Sequence, residues 1–335
     1  MNQKYLVPLA VVFLLFLAAY TGVEGPGLQR FFGIFVPYVA VVAFVTGFLY
    51  RVTKWARSAV PFRIPTTCGQ QKSLPWIKQN RIDNPSTGTG VFLRMIFEIF
   101  LFRSLFRNTK AAFNRGEKNQ LTYSWEIFLW VGALAFHYAF LTVILRHLRF
   151  FLEPVPSYLK FLEYIDGIVQ LGLPGIMLSG VVLLAAALFL LARRIFDNKV
   201  SYISLASDFF PLYLIIGIAV TGISMRYFTK VDIMGIKELT MGLATFHPVI
   251  PEGVSGLFYA HIFMVSILLM YFPVSKLMHM GGIFLSPTRN MANNTRAVRH
   301  INPWNYDVKT HTYEEYEDDF REKMIEAGLP VDKKE

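Results

Sequence analysis

Four histidines stand inside long apolar stretches, where an ionisable side chain is expensive and marks a functional position by default. His137 and His147 share one stretch, in Phe136-His137-Tyr138 and Arg146-His147-Leu148. His261 and His279 share another, in Ala260-His261-Ile262 and Met278-His279-Met280. Imidazole nitrogen is an axial ligand for haem iron, and two imidazoles from facing helices clamp one macrocycle between them. Two ligands on each of two helices suit two haems. The single cysteine, Cys68, excludes an intramolecular disulfide, a zinc–thiolate or iron–sulfur cluster held by this chain alone, and covalent haem attachment through C-x-x-C-H. The expected cofactors are therefore two haem b, held by ligation and packing. Without haem, the same histidines would form a proton relay in a transporter or channel, or the helices would only anchor a soluble enzyme.

Other residues near these histidines have both a functional and a plainer reading. Arg146 and Arg149 flank His147, and Lys276 lies one turn before His279; they are placed to bind haem propionates, or to snorkel to the membrane interface. Gly132 and Gly256 each precede a ligand candidate by five residues and either admit the macrocycle or serve helix packing. The methionines near the sixth span read as packing. His247 is a loop histidine that either exchanges protons with a quinone or is solvated, and His300 and His311 read as surface residues. Cys68 has no partner thiol and reads as structural. Arg94 and Glu98 have the i,i+4 spacing of a local ion pair.

The elements that must position these residues are membrane helices. The chain has 335 residues, 54% hydrophobic and only 17% charged, with a mean hydropathy of +0.41. Soluble domains carry roughly 25% charged residues, so the apolar excess belongs in lipid. Six stretches approach the hydrocarbon thickness, at about 5–23, 31–50, 125–147, 172–192, 208–226 and 254–279. The fold class is all-α, a polytopic membrane helical bundle. The first stretch lacks a small-x-small cleavage pattern and is expected to be retained as a helix.

Net charge is +10, and residues 51–118 hold 13 of the basic and 3 of the acidic side chains, an excess equal to the whole net charge. A regional bias of this kind points to topology, not to nucleic acid. Six spans place 26 of the 33 cations on one side, so both termini are expected to be cytoplasmic in a prokaryotic cytoplasmic (inner) membrane. Four regions follow: two N-terminal transmembrane helices (1–50), a basic cytoplasmic loop (51–124), the dihaem bundle (125–280) and a cytoplasmic tail (281–335). Within the loop, 91–106 is apolar but carries Arg94, Glu98 and Arg103, which suits an interfacial helix. The basic loop and Arg289, Arg296 and Arg299 of the tail are candidates for docking a cytoplasmic subunit, or they enforce topology and meet anionic lipid.

With this orientation the third span runs outward and the sixth inward, pairing His137 with His279 at the inner side and His147 with His261 at the outer. The spacings are unequal, ten residues against eighteen, or about 15 Å against about 27 Å in straight helices. Tilt, or a kink at Pro273, would have to level the pairs.

The histidine spacing over 125–280 resembles the dihaem cytochrome b gamma subunit of respiratory nitrate reductase. Nearly the full length resembles the membrane cytochrome b subunit of the dissimilatory sulfite-reductase-associated redox complex, the DsrM or Hme-type family. The stretches PFRIPTTCG (61–69), LFRSLFR (101–107), KLMHMGG (276–282) and SPTRN (286–290) carry that likeness. It implies an electron-transfer subunit of an oxidoreductase complex, exchanging electrons between menaquinol or menaquinone and two haem b. The implied partners are a cytoplasmic iron–sulfur subunit similar to heterodisulfide reductase, a periplasmic multihaem cytochrome c, a periplasmic iron–sulfur protein and a second quinone-interacting membrane subunit. Lys160, Tyr164 and Asp166, in the outer loop after His147, are candidates for holding the quinone.

Overall fold

The computed structural model describes residues 3–58, 60, 63, 69–114, 120–167, 175–295 and 309–333. Cys68, Arg296, Arg299 and His300, and the expected start of the fourth span at 172, lie outside them. Among the described residues, six helices are long and apolar enough to cross a membrane: Gln3–Glu24, Phe31–Ala56, Ile127–Phe150, Leu178–Phe196, Ala206–Thr229 and Gly256–Val274. The chain is a multi-pass membrane protein with an all-helical bundle.

In chain order the elements are α1 (Gln3–Glu24), a π turn (Phe31–Phe35) leading into α2 (Val36–Ala56), α3 (Gly88–Leu101), α4 (Arg103–Phe106), and the strands β1 (Thr109–Asn114) and β2 (Gln120–Trp125). Then follow α5 (Ile127–His147), α6 (Ser157–Asp166), α7 (Leu178–Phe196), α8 (Asn198–Ile203), and α9 (Ala206–Ser224), which runs into a π turn at Met225–Thr229. The last are α10 (Ile233–Ala244), α11 (Gly256–Tyr271), α12 (His279–Leu285) and α13 (Tyr313–Glu326).

The membrane core forms where α1, α9 and α11 meet. Val12, Phe209, Tyr213, Leu214 and Met264 are buried together there. A second cluster joins Ala19, Val23 and Phe32 to Leu239, Phe258, Tyr259 and Ala260. Glu24, ending α1, accepts a hydrogen bond from Gly256 N at 2.7 Å, placing a carboxylate on the N-terminus of α11, where the helix dipole favours negative charge. Gly256 is small for this reason, since an added Cβ would lie 2.6 Å from the Glu24 carboxylate; at Gly132 an added Cβ would lie 2.5 Å from the Phe189 ring. Both glycines therefore serve close packing of groups other than a macrocycle.

The expected sixth span is broken. α11 ends at Tyr271, Phe272–Val274 and Lys276–Met278 are single 3-10 turns, Ser275 between them is extended (φ −109°, ψ 177°), and α12 begins at His279. Pro273 has no N–H to donate, so the helix cannot continue through it unperturbed. An added Cβ on Gly47 of α2 would lie 2.7 Å from Pro273, so α2 is packed closely on the break.

The basic loop is a folded unit. Its expected interfacial helix is two helices, α3 and α4, divided at Phe102, whose backbone is left-handed (φ 47°, ψ 48°). Arg94 and Glu98 are buried, so this helix faces protein as well as its surroundings. Asp83 organises the unit: its carboxylate accepts from Arg103 Nε at 2.8 Å, from Arg107, and from Asn80 Nδ2 at 3.0 Å, while its carbonyl accepts from Arg94 at 2.6 Å and Arg63 at 3.3 Å. Glu98 accepts from Ser104 N at 3.2 Å and lies 3.8 Å from Arg289, which brings the start of the tail to this network. Asn293 ties the tail to the loop through Pro85 O (2.7 Å) and Asn84 (3.0 Å).

β1 and β2 pair antiparallel, Thr109 with Trp125 and Asn114 with Gln120, which the apolar periodicity did not foreshadow. Lys110 bonds Asp197 at 2.6 Å, and that bond holds the Asp197 carboxyl below the usual carboxylate range.

Breaking a buried ion pair by removing one partner costs about 3 kcal/mol or more. Asp83→Ala is expected to loosen the 69–114 unit by that order while leaving the spans folded. Limited proteolysis of the membrane-embedded protein checks it: cleavage within 69–114 should appear at protease levels that leave the wild type intact.

Candidate functional site

The histidines of α5 and of the α11–α12 segment meet in two pairs. The His137 and His279 ring centroids are 5.9 Å apart with planes at 87°, and those of His147 and His261 are 6.4 Å apart with planes at 14°. The break at Phe272–Met278 solves the unequal spacing, because it redirects the chain between His261 and His279, which no straight helix does.

In each pair the Nδ1 atoms are engaged. His137 Nδ1 lies 2.8 Å from Ala133 O, His147 Nδ1 2.7 Å from Val143 O, and His279 Nδ1 2.9 Å from Lys276 O. Carbonyls only accept, so each of these imidazoles carries its proton on Nδ1. His261 Nδ1 lies 2.8 Å from Thr221 Oγ1, whose own proton is directed at Gly217 O at 2.8 Å, so the hydroxyl oxygen accepts from the imidazole. All four Nε2 atoms are left as lone-pair donors, the tautomer that metal-binding histidines adopt when a second partner holds the other nitrogen. His247 Nδ1 also bonds a carbonyl, Thr245 O at 2.8 Å, but none of the ring contacts found pairs it with another imidazole.

The donor set suits a macrocycle. Among the described residues no three or more His, Cys, Asp or Glu side chains gather as a metal cluster. A bare transition-metal ion wants three or four protein ligands, whereas haem brings four nitrogens of its own and needs only two axial ones. Two metal–nitrogen bonds of about 2 Å plus two ring radii of about 1 Å span roughly 6 Å, the centroid separation of both pairs. The helices also leave room: α5 packs on α7, while α11 packs on α1, α2 and α9, and α5 and α11 do not pack closely on each other. Gly222 of α9 faces His261, where an added Cβ would lie 3.4 Å from Cε1.

Aromatic rings line both pairs. Phe136 and Phe102 contact His137 edge-on at 5.2 and 4.9 Å, and Phe150 lies 5.8 Å from His147. Phe102 reaches His137 because the end of α3 is bonded to α5, through Trp130 Nε1 to Leu101 O (2.7 Å) and Tyr138 OH to Phe100 O (2.8 Å).

The cations expected to meet haem propionates are already balanced by carboxylates of the chain. Arg146 bonds Asp166 at 2.7 Å and Ser179 Oγ at 3.0 Å, Arg149 bonds Glu163 at 2.7 Å, and Lys276 bonds Asp208 at 2.6 Å. Nor are the three quinone candidates brought together. Asp166 is buried and also accepts from Ser179 N at 2.7 Å, whereas Lys160 and Tyr164 lie one turn apart on the exposed face of α6. Sequence reasoning missed Thr221, whose hydroxyl has no distinctive spacing, and Arg51 and Arg226, which are among the arginines with a buried Nε that makes no hydrogen bond.

The nitrate reductase gamma subunit family matches residues 93–300. The chain is 47% identical to the Hdr-like menaquinol oxidoreductase cytochrome b-like subunit of Archaeoglobus fulgidus over 280 residues, covering 82% of this chain and 83% of that protein. It is 44% identical to the subunit of the same description from Archaeoglobus profundus over 276 residues, covering 80% and 81%.

Removing a partner that orients a metal-binding histidine weakens retention of the bound group by about 10- to 100-fold. Thr221→Val is expected to do this at the His147–His261 pair only. Haem-to-protein ratios during competition with apomyoglobin measure it, with His261→Ala as the reference that lacks this pair.

Proposed function

This chain belongs to the nitrate reductase gamma subunit family and to the Hdr-like menaquinol oxidoreductase cytochrome b-like subunits, and on that basis we propose that it is a membrane dihaem cytochrome b relaying electrons between menaquinol and a cytoplasmic iron–sulfur subunit. The observation that carries the reading is the two imidazole pairs, each at bis-axial separation with its Nε2 atoms open. His147 and His261 would hold one haem b, toward the outer side, and His137 and His279 the other, toward the cytoplasm. When bound, the two haems supply one-electron steps between a two-electron quinol and a one-electron acceptor.

The chain's own residues set the conditions for that relay. The Nδ1 hydrogen bonds fix ring orientation and raise the basicity of each ligand nitrogen. Phe102, Phe136 and Phe150 keep the pairs in apolar surroundings. Asp166 holds Arg146 in place, and Lys160 and Tyr164, exposed together on α6, are the remaining candidates for a quinol oxygen. A haem-free proton relay fits less well, because three of the four Nδ1 protons are committed to nearby backbone carbonyls instead of to a chain of exchanging groups.

Quinol oxidised at the outer pair would release its protons outside while electrons pass inward. Each electron crossing a full membrane at 100 mV moves through about 2.3 kcal/mol, so the direction of transfer helps build the potential. The basic cytoplasmic unit would dock the iron–sulfur partner of a complex in sulfur metabolism, alongside periplasmic multihaem cytochrome c and iron–sulfur subunits and a second quinone-interacting membrane subunit. The family likeness supports these partners.

Dithionite-reduced minus oxidised spectra with pyridine haemochrome quantification test the reading. Two haem b per wild-type chain are expected, and alanine at any one of His137, His147, His261 or His279 should remove about one; a haem-free but assembled wild type would overturn it. Ligand-plane angles predict further that the two ferric haems differ in electron paramagnetic resonance. The perpendicular His137–His279 pair should give the more anisotropic low-spin signal, lost in His279→Ala, and the near-parallel pair a rhombic one.

A further inference from the structure

Near the imidazole pairs, Arg51 and Arg226 each combine a solvent-shielded, unbonded Nε with no carboxylate partner among the described residues. At the His147–His261 end, Arg146 is balanced by Asp166, Arg149 by Glu163 and Lys237 by Glu153. Arg226 has no carboxylate and no hydrogen-bond partner among the described residues, and its Nε is shielded from solvent. At the other end Lys276 and Arg194 share Asp208, at 2.6 and 3.7 Å, while Arg51 likewise has a shielded, unpartnered Nε. An uncompensated cation in a membrane bundle is costly and calls for an anion.

The backbone places each of these cations beside one pair. Thr221 bonds His261, Gly222 faces the same ring, and the segment Met225–Thr229 is wound as a π turn. Arg226 lies in that segment four residues after Gly222, about one turn beyond the residues that contact His261. Arg226 is also close enough to Arg146 for the two charges to interact, which adds to the positive potential there. On α2, the Phe48 ring lies 3.3 Å from where a Cβ on Gly281 would be, and Trp55 lies 3.6 Å from the same position on Gly282. Arg51 is three residues after Phe48 and four before Trp55, on the face turned toward the segment that carries His279. Its guanidinium carbon is 5.3 Å from the Trp55 ring centroid, a contact that orients it without neutralising it.

We propose that Arg226 and Arg51 are carboxylate-binding residues, Arg226 for the propionate of the haem held by His147 and His261 and Arg51 for that of the haem held by His137 and His279. The inference rests on the dihaem reading and assigns the anion contacts that reading lacks. Guanidinium is suited to the task, because its fork binds a carboxylate bidentately and stays charged at any working pH. Each positive charge beside a haem stabilises the reduced, more negative state.

Arg226→Gln and Arg51→Gln, in the haem-loaded protein in phosphatidylcholine nanodiscs, provide a crossed test by optical redox titration and resonance Raman spectroscopy. Arg226→Gln should lower the midpoint potential of the haem that His147→Ala removes and shift its propionate bending band, leaving the other haem unchanged. Arg51→Gln should do the reverse. Lys230→Gln, which removes an exposed cation near Arg226, should move neither. If a glutamine variant does not assemble, the lysine variant carries the test, with a smaller shift in the same direction and band.

Unmoved potentials, or an unmoved Raman band on the haem beside the substituted arginine, would overturn the proposal. So would shifts that appear only in phosphatidylglycerol discs, which would make lipid phosphate the ligand. A wild type without haem overturns the dihaem reading itself and is recognised from the starting spectrum.

Discussion

An imidazole in hydrocarbon must satisfy one ring nitrogen before the other is free to coordinate, and the architecture depends on meeting that condition four times. His137 and His147 meet it within α5, by bonding the carbonyl four residues earlier at 2.8 and 2.7 Å. Helical side chains lean toward the N-terminus, so this bond needs no departure from an ordinary rotamer. His279 meets it differently, through Lys276 O in a 3-10 turn, and His261 through Thr221 on a neighbouring helix. Each solution fixes which way Nε2 points.

From that requirement the helix arrangement follows. α1, α9 and α11 form the tight centre, and α5 is held to it through α7 instead of by direct packing on α11. The space between α5 and α11 is bridged by the ring contacts themselves. On α9, Gly222 leaves room for the His261 ring, where an added Cβ would lie 3.4 Å from Cε1.

Hydropathy made the spans legible, because burying about 20 apolar residues leaves a signal that tertiary context does not erase. The histidine pairing was legible too, as charges within spans are rare enough to stand out. What escaped were features set by contacts distant in sequence. Arg146, Arg149 and Lys276 were conspicuous as cations near histidines, yet Asp166, Glu163 and Asp208, which balance them, lie 20, 14 and 68 positions away. Arg51 and Arg226 have no spacing to a histidine that would single them out. The second of the paired strands, Gln120–Trp125, is exposed throughout and so has no alternating apolar face to announce it. The break before His279 was signalled by Pro273, but the extended Ser275 that completes it was not.

The contact of Phe102 with His137 joins two parts of the chain that composition separates. Phe102 takes a left-handed conformation, uncommon for a residue with a bulky side chain. Three constraints hold it there. Leu101 O is bonded by Trp130 and Phe100 O by Tyr138, which fix the end of α3 on α5. Arg103, immediately after it, is drawn the other way to Asp83. The ring is left with its edge on His137, 4.9 Å between centroids. Asp83 therefore reaches the imidazole through only Arg103 and Phe102. In the orientation we propose, that places the folded basic unit in direct contact with the imidazole nearest a cytoplasmic electron acceptor. Any force that shifts α3 against α4 acts on the packing of that ligand before it acts on anything else in the bundle.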